Sequence, residues 1–287
     1  MRRFDCGKHM AKMRTRSEKD RYPPKMTILD FRKRKADGHP ISMVSAYDAW
    51  SARIIAESDI DCILVGDSAA MVMHGHDSTI PADTPMLASH IAAVRRGAPD
   101  TFIIGDLPFL SVRMGLSEAV KNVAALIRAG ANAVKLEGAD GNLELITHIT
   151  QSGVPVMGHL GLIPQSINAF GGYRVQGREE TASAELYENA LSLEKSGCFA
   201  VVLEAVPGKL AKSISSALKI PAIGIGAGAA VDGQVLVLQD LLGLNTQFTP
   251  KFVRKFLDGA MLIREALNRY HEEVTKKTFP LKEESYK

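Results

Sequence analysis

From about residue 40 onward, two hydrophobic rhythms alternate along the chain. Short apolar runs rich in Val and Ile are each followed by a longer stretch of helical periodicity. The runs are ISMVSAYD (41–48), CILVGD (62–67), FIIGDL (102–107), NAVKLEG (132–138), PVMGHLG (155–161), AVVLEAV (200–206), PAIGIGAG (221–228) and VLVLQDL (235–241). Between the third and fourth, Ser117 to Gly130 places Val120, Val123, Ala124 and Ile127 on one face, with Ser117 as expected N-cap and Gly130 as the stop. Thr181 to Gly197 repeats the device with Leu186, Ala190 and Leu193. Gly130–Glu137 and Gly197–Glu204 share one spacing from helix-stopping Gly to strand-ending Glu, and Asp61–Asp67 is a shorter echo. Apolar strands separated by helices predict a parallel sheet covered on both faces. Eight such units predict an α/β chain closed into a (β/α)₈ TIM barrel. Lys251 to Tyr270 reads as further C-terminal helix, and residues 26–287 as one domain with no interdomain linker.

Composition narrows the function classes. The chain has 287 residues, 46% hydrophobic and 23% charged, ordinary usage for a globular protein. Its most apolar uncharged run, Ile220 to Val231, is broken by Pro221 and three glycines, whereas a membrane helix needs about 20 apolar residues. No membrane partner is expected. Three cysteines without a CxxC pair exclude a disulfide framework and a thiolate zinc site, and fit a reducing compartment. Net charge is +3, but residues 1–25 hold nine Lys/Arg against three acids, so the remainder is slightly acidic. That leaves no basic excess for nucleic acid. Residues 1–25 read as a flexible basic extension without the apolar core of a secretory signal.

The chemistry is expected where the strands end. In order, the polar terminators are Asp48, Asp67, Asp106, Glu137, His159, Glu204 and Asp240. The C-terminal strand ends of a (β/α)₈ barrel converge on one mouth, where its active sites lie. Asp48 and Asp240 are most simply helix N-caps. Asp67, Asp106 and Glu137 end neighbouring strands, about 4.8 Å apart, and carboxylates that close either raise one another's pKa or share a cation. Oxygen-only ligation favours Mg²⁺, with Asp67 and Asp106 as direct ligands and Glu137 acting through water. Lys135 lies two residues before Glu137, so both point to the inner face. It is either a Schiff-base nucleophile or a fixed cation that holds an anionic substrate; a neighbouring metal favours the second. His159 is equally a satisfied core group or a site residue. Glu204, across the mouth from the acid cluster, suits a general base.

Two glycine-rich segments complete the reading. IGIGAG (223–228) stands in the seventh unit, not the first where a dinucleotide fingerprint belongs; backbone room at the mouth explains it, with phosphate binding as the alternative. Residues 168–177 have the composition of a lid or of simple turns.

The motifs VGDS (65–68), GHDST (75–79), DLPF (106–109), GANAVKLEG (130–138), GHLGL (158–162), FGGYRVQGR (170–178), VLEAVP (202–207) and IGIGAG with DGQVLVLQD (232–240) occur in the order of one family. From about Met26 to near residue 280 the chain resembles the ketopantoate hydroxymethyltransferases. The resemblance implies a barrel of the phosphoenolpyruvate/pyruvate type and transfer of a one-carbon unit from 5,10-methylenetetrahydrofolate to 3-methyl-2-oxobutanoate. It places Mg²⁺ on Asp67, Asp106 and, through water, Glu137. It places substrate contacts on Asp67, Ser68, Asp106 and Lys135, with His159 near the substrate, and the base on Glu204. It implies a cytoplasmic homodecamer of two pentameric rings. Ala69-Ala70, where many relatives carry Leu-Gly, and the basic extension depart from the pattern. Rival readings are a Mg²⁺-dependent oxo-acid lyase or aldolase of the same barrel type, and a non-catalytic scaffold.

Overall fold

The computed structural model describes residues 26–172, 174–246 and 250–286; the expected basic extension lies outside them. Eight parallel strands close a barrel in sequence order: β1 (Ile41–Ser45), β2 (Cys62–Val65), β3 (Phe102–Asp106), β4 (Ala133–Glu137), β5 (Val156–Gly161), β6 (Ala200–Glu204), β7 (Ala222–Ile225) and β8 (Gly233–Leu236). β8 pairs with β1, Ile41 opposite Gly233, which closes the cylinder.

Period-two alternation sorts each strand between two apolar layers. Met43, Leu64, Ile104, Ala133, Met157, Val202 and Ile223 fill the barrel interior. Val44, Ile63, Ile103, Val134, Leu160 and Leu203 face the surrounding helices. Helix α1 (Ile28–Ala36) inserts Phe31 against Phe102 and Phe199, with ring centroids 5.3 and 5.1 Å away. The interior is therefore packed with apolar side chains, and polar groups are confined to the C-terminal strand ends.

The outer helices are α2 (Ala49–Ala56), α3 (Ala69–Val72), α4 (Thr84–Gly97), α5 (Leu116–Ala129), α6 (Leu143–Gln151), α7 (Ile167–Phe170), α8 (Glu180–Lys195), α9 (Gly208–Ala217), α10 (Leu238–Leu241) and α11 (Gly259–Thr275). Asp48 caps α2 by accepting from the Ser51 amide at 2.8 Å, as expected. Gly130 ends α5 at a φ of 119°.

Four expectations need correction. Gly115, not Ser117, caps α5, and the helix buries Ala119, Val123 and Leu126 while Val120 is exposed. β8 begins two residues earlier than the apolar run and ends at Leu236, because Gly233 alone tolerates the approach of β1; a Cβ there would stand 2.5 Å from the Ile41 carbonyl oxygen. Asp240 is consequently neither strand end nor N-cap: it lies within α10 and accepts a hydrogen bond from Asn245. The last long helix starts at Gly259 rather than Lys251, since Lys251–Asp258 folds as turns against the barrel, Phe256 bonding to Leu241.

Candidate active site

The strand register assembles the polar ends into one chain of contacts. Asp106 on β3 stands opposite Lys135 on β4, Glu137 on β4 opposite His159 on β5, and Glu204 on β6 opposite Gly161 on β5. Lys135 Nζ donates to both oxygens of Asp106, at 2.6 and 2.7 Å, and to Glu137 Oε1 at 3.3 Å. His159 Nδ1 lies 3.2 Å from that same Glu137 oxygen, and its Nε2 lies 3.3 Å from Glu204 Oε2. The Nε2 contact is too bent for a full hydrogen bond, so this buried ring nitrogen has no aligned partner. Asp67, two residues past β2, donates its backbone N–H to Asp106 Oδ2 at 3.3 Å.

Asp67, Asp106 and Glu137 thereby each offer an oxygen within 4.8 Å of the other two. Burial, reinforced by the two neighbouring carboxylates, raises the Asp67 pKa well above its usual range. Burial also raises Asp106, against the pull of Lys135. Glu137 is also buried, yet Lys135 and His159 overcome that cost and hold it down to about 2. Burial and the Lys135 charge disfavour a protonated His159, but the carboxylates of Glu137 and Glu204 push it up to about 9. Lys135 is driven up by Asp106, Glu137 and Asp67 in spite of its burial. Three hydrogen bonds to carboxylate oxygens suit a charged amine, whereas the Schiff-base alternative requires a neutral one.

Several contributors carried no signal in the local sequence. Gln165, in a 3-10 turn (Pro164–Ser166) after β5, reaches across the mouth: its Nε2 donates to Asp67 Oδ2 and to the Leu107 carbonyl, both at 3.0 Å. Its backbone N–H donates to Glu137 Oε2 at 3.3 Å. Tyr47, after β1, bonds Ser68 Oγ at 2.7 Å and so orients the hydroxyl next to Asp67. Burial pushes the Tyr47 phenol up to about 12, which keeps it a neutral partner.

Glu204 stands at a strained bend. Ala205, which follows it, has a φ of 48°, a region that non-glycine residues rarely adopt. Opposite, Gly161 has a φ of 93°, and a Cβ there would meet the Glu204 carbonyl oxygen at 2.2 Å. The Leu162 amide donates to that oxygen at 2.8 Å. A glycine on β5 thus lets the two strand ends close together and fixes where Glu204 points. The glycines of IGIGAG serve packing as well: a Cβ on Gly226 would meet the Phe252 ring at 2.7 Å.

A family model for ketopantoate hydroxymethyltransferase matches residues 25–282. The chain belongs to that family. The 3-methyl-2-oxobutanoate hydroxymethyltransferase of Bdellovibrio bacteriovorus is 58% identical to it over 260 residues, 91% of this chain and 99% of that protein. The Coxiella burnetii enzyme of the same name is 56% identical over 256 residues, 89% of this chain and 96% of its own. Among solved structures, a phosphonopyruvate hydrolase in complex with oxalate and Mg²⁺ superposes with a TM-score of 0.58 at 12% identity, covering 90% of this chain and 93% of that one. A 2,3-dimethylmalate lyase, a member of the PEP mutase/isocitrate lyase superfamily, gives 0.58 at 14% identity over 86% of each chain. These structural likenesses show the (β/α)₈ barrel fold. Among the described residues, no helix is long and apolar enough to cross a membrane.

Proposed function

We propose that the protein transfers a hydroxymethyl group from 5,10-methylenetetrahydrofolate to 3-methyl-2-oxobutanoate, forming 2-dehydropantoate in the first step of pantothenate biosynthesis. One observation carries the reading: three carboxylates converge beside a charged lysine, and His159 links them to Glu204. The donor set fits a divalent cation. Among the described residues, the four carboxylates have Lys135 and His159 as their charged partners, and burial, with the neighbouring carboxylates adding to it, raises Asp67, an environment that a bound cation would relieve. Oxygen-only ligands select Mg²⁺; Asp67 and Asp106 would hold it directly and Glu137 through water. When bound, Mg²⁺ supplies Lewis-acid polarisation of the 2-oxo group and stabilises the charge of the enolate.

The chain's own groups do the rest. Lys135 provides fixed positive charge for the oxo-acid carboxylate, and Ser68, oriented by Tyr47, a hydroxyl beside it. His159 Nε2 is left to donate toward bound substrate. Glu204 removes the C3 proton, and attack on the folate-borne carbon follows. Its side chain is 17% exposed, against 2% for Asp106 and 3% for Glu137, so it is the acid best able to exchange a proton with solvent.

The same proposal takes the assembly to be a cytoplasmic homodecamer. α11 supports self-association: Met261, Leu262, Ile263, Leu267 and Tyr270 are all exposed on one helix, which is apolar surface for a second copy to cover.

Release of tetrahydrofolate from 5,10-methylenetetrahydrofolate plus 3-methyl-2-oxobutanoate and Mg²⁺ tests the reading. Turnover dependent on all three supports it, whereas carbon–carbon cleavage of an oxo acid without folate would assign a lyase instead. Gln165→Ala should weaken Mg²⁺ about 10–100-fold by freeing Asp67, read by titration calorimetry in the presence of the oxo acid; unchanged affinity would remove Gln165 from the site.

A further inference from the structure

A groove that borders the oxo-acid site runs between the barrel wall and α8. Its inner part, about 440 Å³, is within the range of small-molecule sites. Apolar side chains of Phe109, Leu110 and Ile163 form walls, and Glu185 and Asn189 line it one helical turn apart on α8. Glu137 and Gln165, which belong to the acid cluster, line it as well. The outer part, about 510 Å³, is bordered by Arg174 and Arg178. The two parts meet at Gln176, Gly177 and Ala182, which line both. At that junction the Gln176 amide donates to the Ala205 carbonyl at 2.9 Å, so the middle of the groove is tied to the residue following Glu204.

The side chains of Glu185, Asn189, Arg174 and Arg178 make no hydrogen bond or ion pair with any described residue. A flat heterocycle with adjacent N–H donors and a carbonyl suits the inner part, where a carboxylate accepts from the donors and an amide donates to the carbonyl. A chain of carboxylates suits the outer part, since guanidinium groups bind carboxylates in pairs of parallel hydrogen bonds. We infer that this groove is the folate subsite: the pterin lies against Glu185 and Asn189, and the glutamate tail against Arg174 and Arg178. The inference rests on the transfer reaction proposed above. It places the junction between ring and tail, where folates carry their one-carbon unit, at Gln176 and Gly177, next to the proposed base.

The test measures binding of tetrahydrofolate, as monoglutamate and as triglutamate, to the full-length protein by titration calorimetry. Glu185→Ala/Asn189→Ala should weaken both forms about 10-fold or more, the loss of a hydrogen bond to a charged group. Arg174→Ala/Arg178→Ala should weaken the triglutamate by a similar factor and the monoglutamate less, and should flatten the dependence of triglutamate binding on salt. The milder Glu185→Gln and Arg174→Gln serve if a double variant loses its thermal transition. Affinities within twofold of wild type for every folded variant would overturn the subsite. Wild-type protein is assayed in parallel for Mg²⁺-dependent exchange of the oxo acid's C3 hydrogen without folate. Exchange together with unaltered variants defeats this inference alone; no exchange by wild type defeats the underlying reaction.

Discussion

Glu204→Gln is expected to slow turnover of 3-methyl-2-oxobutanoate by about 10²–10⁴-fold, the usual contribution of a positioned general base. Glutamine keeps the shape and one oxygen of the side chain but does not take up a proton. Gly161 and the strained Ala205 hold the backbone at this position, so the substitution leaves the strand end in place. His159 keeps its contact with the Glu137 carboxylate at 3.2 Å in the variant, so the ring stays where the strand register sets it. Binding of the oxo acid with Mg²⁺ should stay within a few-fold of wild type in calorimetry, because Glu204 is not among the three converging carboxylates. Retained turnover in the variant would assign the base elsewhere.

Asp106→Asn should abolish Mg²⁺-dependent binding of the oxo acid. Asp106 lies within the carboxylate triad and also takes two hydrogen bonds from Lys135. Removing its charge leaves the buried Lys135 with Glu137 as its remaining carboxylate contact. Breaking one side of a buried ion pair costs about 3–5 kcal/mol, so the metal-free variant should also unfold at lower temperature. The pH dependence of the unaltered protein follows from the same groups. Asp67 and Asp106 titrate above the ordinary aspartate range, so protons compete with the cation as pH falls. Mg²⁺ affinity should therefore decrease on acidification, with proton release on binding, visible as buffer-dependent calorimetric heats. Affinity that is flat down to the ordinary aspartate pKa would contradict the arrangement.

Much of the frame was legible because it is periodic. Eight apolar runs gave eight strands, and period two correctly put Lys135 and Glu137 on the inner face of β4. What the sequence left open depended on contacts between distant segments. The choice between cation and nucleophile for Lys135 turns on its ion pair with Asp106, which comes from the adjacent strand. For His159 the deciding contacts are with Glu137 and Glu204, and strand register alone sets it between them. Gln165 reaches a partner 98 positions away, and nothing in its turn announces that. The misplaced β8 shows a related limit: VLVLQDL opens on four consecutive apolar residues, and the close approach of Gly233 to β1 decides where pairing starts. The start of α11 was blurred similarly, because Lys251–Asp258 has helix-forming residues but is held in turns by backbone bonds to α10 and its end.

The claim on which the rest depends is that the carboxylate cluster and Glu204 act together on one bound oxo acid. Proton NMR of 3-methyl-2-oxobutanoate in deuterium oxide with the wild-type protein and no folate tests it most directly. The C3 hydrogen signal should be lost with Mg²⁺ present and persist once the metal is chelated. Exchange that continues undiminished without a divalent cation, or a C3 signal that never decays, would contradict it.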